Sequence, residues 1–256
     1  GKTYLRGTNG KRLMQKIGNR KWKPIVDYDQ VEPQDGYDVY TTIDVNIQDI
    51  AHHSLLGQLE KYEADHGCAV VMDVKTGEIK AISNLGRNQS GSYYERLNYA
   101  VGESHEPGST FKVMAFMAAL EDKVIDTSTI VDTKNGSKRF YGRTISDSRG
   151  HGKISAARAL EVSSNIGLAT IINDHYSKQP KKFINRLKGW KLHNKLGVSL
   201  IGEGKPVIPE PGDAIWSKNA LPSMAYGYNL RMTPLQTLTF YNAIANDGEM
   251  IRPRFI

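Results

Sequence analysis

Glu106-Pro107-Gly108-Ser109-Thr110-Phe111-Lys112 runs directly into the apolar stretch Val113-Met114-Ala115-Phe116-Met117-Ala118-Ala119-Leu120. Pro-Gly marks a tight turn, and the apolar run after it predicts a buried helix. Ser109 is the only serine in the chain with a lysine three residues on. Residues three apart on a helix share a face, so Ser109 and Lys112 are expected side by side on the first helical turn. A serine hydroxyl is a weak nucleophile until a neighbouring base takes its proton. A lysine can be that base where burial lowers its pKa. The spacing alone also fits a surface helix start with a solvated lysine.

Further along, Ile154-Ser155-Ala156-Ala157-Arg158-Ala159-Leu160-Glu161-Val162 predicts a short helix with Ser155 near its N-cap. It leads into Ser163-Ser164-Asn165, after which a second apolar helix begins at Ile166. Ser163 and Asn165 therefore fall at a corner between helices, where polar side chains can project into a cleft. Ser-x-x-Lys followed by Ser-x-Asn is the order found in penicillin-recognising serine acyltransferases.

Several longer stretches carry a closer likeness: TTIDVNIQDIA (41–51), GCAVVMDVKTGEIKAISN (67–84), AVGESHEPGSTFKVMAFMAALED (100–122), ALEVSSNIG (159–167) and AYGYNLRMTPLQTLTFYNAIANDGEMIRPRFI (225–256). Together they resemble a class B penicillin-binding protein, a peptidoglycan D,D-transpeptidase of the septal, cell-division type of the Bacteroides–Flavobacterium kind. The likeness covers nearly everything from about Tyr37 onward. It implies a transpeptidase domain over 37–256, preceded at 1–36 by a linker and the β-rich end of a non-catalytic pedestal. The family's third motif, Lys-(Ser/Thr)-Gly on a late strand, is expected beyond Ile256, which would leave the domain incomplete at its C-terminus. Lys75-Thr76-Gly77 has the right letters in the wrong place. It lies between two β-rich runs and is expected to be a hairpin turn. Ser217-Lys218-Asn219 follows a Pro/Gly-rich loop and is expected to be a chance match.

The resemblance also implies roles. Ser109 would attack a stem-peptide carbonyl, with Lys112 as general base and the Ser109 N–H in the oxyanion site. Ser163 would relay a proton to the leaving amine. Asn165 would hold the substrate amide and keep Lys112 in place. Stem peptides and β-lactams are the expected ligands, and membrane proteins of the division machinery the expected partners. The expected address is the periplasmic side of the inner membrane, with an N-terminal anchor outside this chain. No cofactor or metal is implied. A D,D-carboxypeptidase or β-lactamase, a β-lactam sensor and a non-catalytic division scaffold remain as alternatives.

Composition adds limits. Lys and Arg number 34 against 27 Asp and Glu. Much of the excess lies in Lys11, Arg12, Lys16, Arg20, Lys21 and Lys23, which fits a solvated hairpin better than a surface for anionic polymer or lipid. No aromatic–basic interleaving points to nucleic acid. Cys68 is the only cysteine, so no disulfide can form within the chain. It begins the run Cys-Ala-Val-Val-Met and is expected in the core. The histidines show no zinc spacing. Gly102-Glu103-Ser104-His105-Glu106 and Gly202-Glu203-Gly204-Lys205 match neither a nucleophile elbow nor a phosphate loop.

The element pattern predicts a hairpin over 1–26, a linker over 27–36 and a short strand from Tyr40 to Ile43. A helix over 45–62 is expected to be capped by Asp44, and strands to span 68–74 and 78–84. The nucleophile helix follows, then a loop-rich stretch over 126–152, the helix pair around Ser163, and helices opening at Pro180 and Pro234. Strands flanking a helix cluster indicate α/β in the broad sense (α+β), an antiparallel sheet carrying helices. In the resemblance this is the penicillin-binding-protein/β-lactamase-like transpeptidase fold.

Overall fold

The computed structural model describes residues 5–25 and 30–256, so the expected linker positions 27–29 and the two ends of the 1–26 hairpin lie outside it. Contacts divide the chain into two compact units, residues 1–42 and Ile43–Phe255. In the first, β1 (Met14–Gly18) and β2 (Lys21–Pro24) form an antiparallel hairpin. Lys16, Lys21 and Lys23 are exposed on it.

The second unit begins at α1 (Val45–Tyr62). Asp44 caps it, Oδ1 accepting from Asn46 N at 2.9 Å and Ile47 N at 3.1 Å. Helix α1 lies on an antiparallel sheet of β3 (His66–Met72), β4 (Ile79–Arg87) and β5 (Tyr93–Glu95), in the order β3-β4-β5. Cys68 pairs with Asn84 and is half-buried, not in the core, because β3 is an outer strand among the described residues. The expected strand at 40–43 does not form. Strand propensity alone does not hold a strand there, since among the described residues no strand pairs with the segment. On the side of β4 away from β3, Asp44 N donates to Lys80 O, and the Gln48 amide bonds both N–H and C=O of Ile82 at 2.8 and 3.0 Å.

Lys75-Thr76-Gly77 forms the β3–β4 turn. Asp73 Oδ1 accepts from Lys75 N, Thr76 N and Thr76 Oγ1, an Asx-type arrangement that organises the loop locally. Gly77 takes φ +72°, which disfavours a side chain there.

After α2 (Tyr99–Gly102), a 3-10 turn at Gly108–Phe111 leads straight into α3 (Lys112–Glu121). Short strands follow: β6 (Ile130–Asp132), β7 (Ser137–Phe140), β8 (Arg143–Ser146) and β9 (Lys153–Ser155), paired β6-β9 and β7-β8. The remaining helices are α4 (Ala156–Glu161), α5 (Asn165–Tyr176), α6 (Pro180–Gly189), α7 (Ala220–Met224) and α8 (Pro234–Ala245). Thr233 and Gln236 form a reciprocal capping box on α8.

Helix α5 is apolar nearly all round, with Ile166, Leu168, Ala169, Ile171 and Ile172 buried, and so becomes the centre of the helix cluster. Asp122 joins three helices there. Its carboxylate accepts from Tyr176 Oη at 2.8 Å and Arg186 Nε at 3.0 Å. That network fixes the far end of α3 and so the direction in which its first turn points.

Candidate active site

Ser109 and Lys112 meet on the 3-10 turn, not on the α-helix expected for them. Residues i and i+3 eclipse in a 3-10 turn, which aligns the two side chains more closely than α-geometry does. Lys112 N donates to Ser109 O, closing the turn. Above it, the Lys112 Nζ lies 3.1 Å from Ser109 Oγ. Ser109 is exposed, whereas Lys112 is 1% exposed. The serine hydroxyl thus faces solvent, and the lysine amine comes up from beneath it.

Two glycines shape the approach. Gly108 takes φ +58° and Gly227 φ +85°. Gly108 N donates to Gly227 O at 3.0 Å, and a Cβ on Gly227 would stand 1.9 Å from Gly108 O. The Tyr226-Gly227-Tyr228 backbone therefore lies directly against the turn that presents Ser109.

Ser163 closes the other side. It ends α4 in the left-handed conformation, φ +54°, a C-terminal position usually taken by glycine. Ser163 N bonds Leu160 O at 2.9 Å and Ser164 N bonds Ala159 O at 2.8 Å, which fixes the reversal. So turned, Ser163 presents two oxygens to Lys112 Nζ, its carbonyl at 2.5 Å and its hydroxyl at 2.8 Å.

A neutral lysine amine has two N–H groups and one lone pair. The Ser163 carbonyl can only accept, so it takes one N–H. The lone pair is then available to the Ser109 hydroxyl, while the second N–H reaches Ser163 Oγ. Burial supports the neutral form: it pulls the Lys112 amine down from the ordinary lysine range to about 8, against the charge of Asp147, which acts the other way.

Asn165 does not hold Lys112. As the first residue of α5 it directs Nδ2 to Ser146 O at 3.0 Å, and among the described residues Lys112 Nζ bonds only Ser109 and Ser163. The bond to Ser146 turns the Asn165 side-chain amide toward β8 and away from a bond to the amine. Two residues passed unnoticed in the sequence, Gly227 and Asp147. Asp147 lies in a loop-rich stretch without periodicity and accepts from Ser164 Oγ and from the backbone N–H groups of Asn165 and Ile166. Among the described residues, no group of three or more His, Cys, Asp and Glu could hold a metal ion. No helix among them is long and apolar enough to cross a membrane.

The penicillin binding protein transpeptidase domain family matches residues 67–256, most of the chain. The chain belongs to this family. Among curated proteins, the chain is 29% identical over 251 residues to the peptidoglycan D,D-transpeptidase FtsI of Buchnera aphidicola, covering 96% of this chain and 43% of that protein. It is 27% identical to the enzyme of the same name from Escherichia coli, covering 96% and 41%. The chain thus spans about two fifths of the length of these relatives. The TP domain of penicillin-binding protein 3 from Burkholderia pseudomallei superposes with a TM-score of 0.73 at 30% identity, over 86% of this chain and 62% of that one. Penicillin binding protein 3 of Mycobacterium tuberculosis, solved with aztreonam, gives 0.71 at 29%, over 84% and 49%. The mixed α/β architecture with antiparallel sheets is that of transpeptidase domains.

Proposed function

We propose that the protein is a peptidoglycan D,D-transpeptidase that crosslinks stem peptides through an acyl-enzyme on Ser109. The observation that carries this reading is the buried Lys112 amine, 3.1 Å from an exposed serine hydroxyl and held from behind by Ser163. In the first step the Ser109 Oγ–H proton passes to the Lys112 lone pair as Oγ bonds the carbonyl carbon between two D-alanines. The tetrahedral adduct collapses, the C–N bond breaks, and the proton returns through Lys112 and the Ser163 hydroxyl to the departing D-alanine nitrogen. In the second step an amine of a neighbouring stem attacks the ester. Its surplus proton passes back through the Ser163 hydroxyl and Lys112 to Ser109 Oγ as the C–Oγ bond breaks, which regenerates the serine. Asn165, with Nδ2 engaged by Ser146, offers its side-chain oxygen to the substrate N–H. A β-lactam enters the first step in place of the donor peptide, because its strained amide presents the same carbonyl.

The relatives' names and the motif set support placing the work in bacterial wall synthesis at the division septum. The domain would then act on the periplasmic side of the inner membrane, with membrane proteins of the division machinery as partners. Residues 1–36 would end a pedestal and linker, and 37–256 would belong to the transpeptidase domain. The test is incubation of the full chain with fluorescent penicillin, followed by peptide mass spectrometry. An adduct on Ser109 that is absent from Ser109→Ala supports the reading, and an adduct elsewhere overturns it. Incubation with a stem-peptide donor and an acceptor amine then distinguishes crosslinking from hydrolysis.

A further inference from the structure

The three contacts of Asp147 exceed what starting a helix requires. Ser164 already caps α5, its Oγ accepting from Gly167 N at 2.8 Å. Asp147 arrives from a loop 17 positions upstream of Ser164 and adds a carboxylate. Oδ2 accepts from Ser164 Oγ at 2.5 Å, and Oδ1 accepts from Asn165 N at 2.6 Å and Ile166 N at 3.1 Å. The first N–H groups of α5 and the cap hydroxyl are thereby tied to one anion, as the positive end of a helix favours. The residue just before this knot is Ser163, the left-handed residue whose carbonyl and hydroxyl grip Lys112.

We propose that Asp147 is a positioning residue of this site: through Ser164 and the backbone of Asn165 and Ile166 it holds Ser163 in the conformation that grips the Lys112 amine, and its charge sets the electrostatics of that amine. The inference rests on the acyl-transfer reading above. It makes Asp147 distinct from the residues that touch the reacting atoms, because it acts on both Ser163 and Lys112 without reaching the substrate.

The charge has a direction that can be checked. Burial lowers the Lys112 pKa and Asp147 raises it. Several other charged groups lie on the elements that meet here: Arg158 and Glu161 on α4, Asp174 and His175 in the last turn of α5, and Arg149 in the loop itself. Arg158 and Glu161 pair with each other at 2.9 Å, and among the described residues Asp147 is the charge that acts on Lys112. Removing it leaves burial unopposed, so Lys112 loses its proton at a lower pH.

The experiment measures acylation of the full chain by fluorescent penicillin as a function of pH, with Ser109→Ala as the blank. Asp147→Asn keeps an oxygen for the backbone N–H groups and removes the charge. The acid limb of its rate profile should move to lower pH. Asp147→Ala removes both, and its plateau rate should fall roughly tenfold to a hundredfold, the scale of a small misplacement of catalytic groups. Asp147→Glu restores the charge, so its limb should return toward that of the unaltered protein. An unmoved limb in Asp147→Asn overturns the proposal even if the plateau falls, since a purely structural cap would give that result. A normal plateau in Asp147→Ala overturns it as well. If the Asp147 variants give no cooperative melt, Ser164→Ala carries the test, because it breaks the knot and leaves the charge. Its rate should fall severalfold with the limb in place, and an unchanged rate overturns the proposal. If the unaltered protein is not labelled at Ser109, it is the acyl-transfer reading that fails.

Discussion

Gly227 lies so close to Gly108 that the α-hydrogen facing it cannot be exchanged for a methyl group: the added carbon would stand 1.9 Å from the Gly108 carbonyl oxygen. Gly227 is also held at φ +85°, where L side chains are strained. Gly227→Ala should therefore displace the turn that carries Ser109. Acylation by fluorescent penicillin is expected to drop by about tenfold or more. Near-normal labelling kinetics in this variant would show that the turn tolerates the shift.

In the proposed reaction Lys112 gives and receives a proton. Lys112→Arg keeps the charge and much of the reach, but a guanidinium does not deprotonate at working pH. The variant should lose acylation by on the order of a hundredfold or more. Circular dichroism should show it folded. Labelling close to that of the unaltered protein would reduce Lys112 to an electrostatic or structural group.

The lowered pKa of Lys112 gives two pH signatures. A lysine that takes the Ser109 proton, as proposed, works only when neutral, so below about 8 the acylation rate should fall about tenfold per pH unit. For stability, the unfolded lysine holds its proton to 10.5 and the folded one only to about 8. Between these values the unfolded state binds more protons, so stability rises with pH across that window and is flat below it. Measured against Lys112→Met by urea unfolding, the gain should be on the order of 3 kcal/mol over the window. A constant difference between the two proteins from pH 8 to 10.5 would contradict the burial argument.

Ser163 combines a strained backbone with a working hydroxyl. Ser163→Gly and Ser163→Ala both delete the hydroxyl that lies 2.8 Å from Lys112, but only glycine relieves the left-handed strain. The glycine variant should be more stable than the alanine variant by about 1 kcal/mol, while both lose turnover. Equal melting temperatures would mean that the backbone is not strained there.

Thr76→Ala removes one bond to Asp73 in the β3–β4 turn, 2.8 Å long. A loss of about 1 kcal/mol or less is expected, with acylation unchanged. A large loss of acylation at unchanged melting temperature would give the Lys75-Thr76-Gly77 triplet a catalytic part after all.

What the sequence disclosed and what it hid divide along the range of the contacts. Asp44, Ser155, Thr233 and Pro234 mark helix starts because a cap bonds groups two or three residues away. Lys75-Thr76-Gly77 declares a turn for the same reason. Ser109 and Lys112 are legible as a pair because one helical turn joins them. Gly227 and Asp147 act on partners far along the chain, and nothing in their neighbours' letters signals it. The expected strand at 40–43 fails although Tyr-Thr-Thr-Ile suits one, because strand propensity decides little where, among the described residues, no strand pairs with the segment. Asn165 was placed on the right corner, while its bond to Ser146, a residue distant in sequence, turned the side chain away from Lys112.

The Gln48 amide gives one donor and one acceptor to Ile82, just as a peptide group in a neighbouring strand would. A single side chain thus stands in for a strand along a stretch of β4 that β5, paired only with Leu85, Gly86 and Arg87, does not reach. Replacing Gln48 by an apolar residue would strip the Ile82 N–H and C=O of these partners and leave a bare strand edge there, the kind of edge on which chains self-associate.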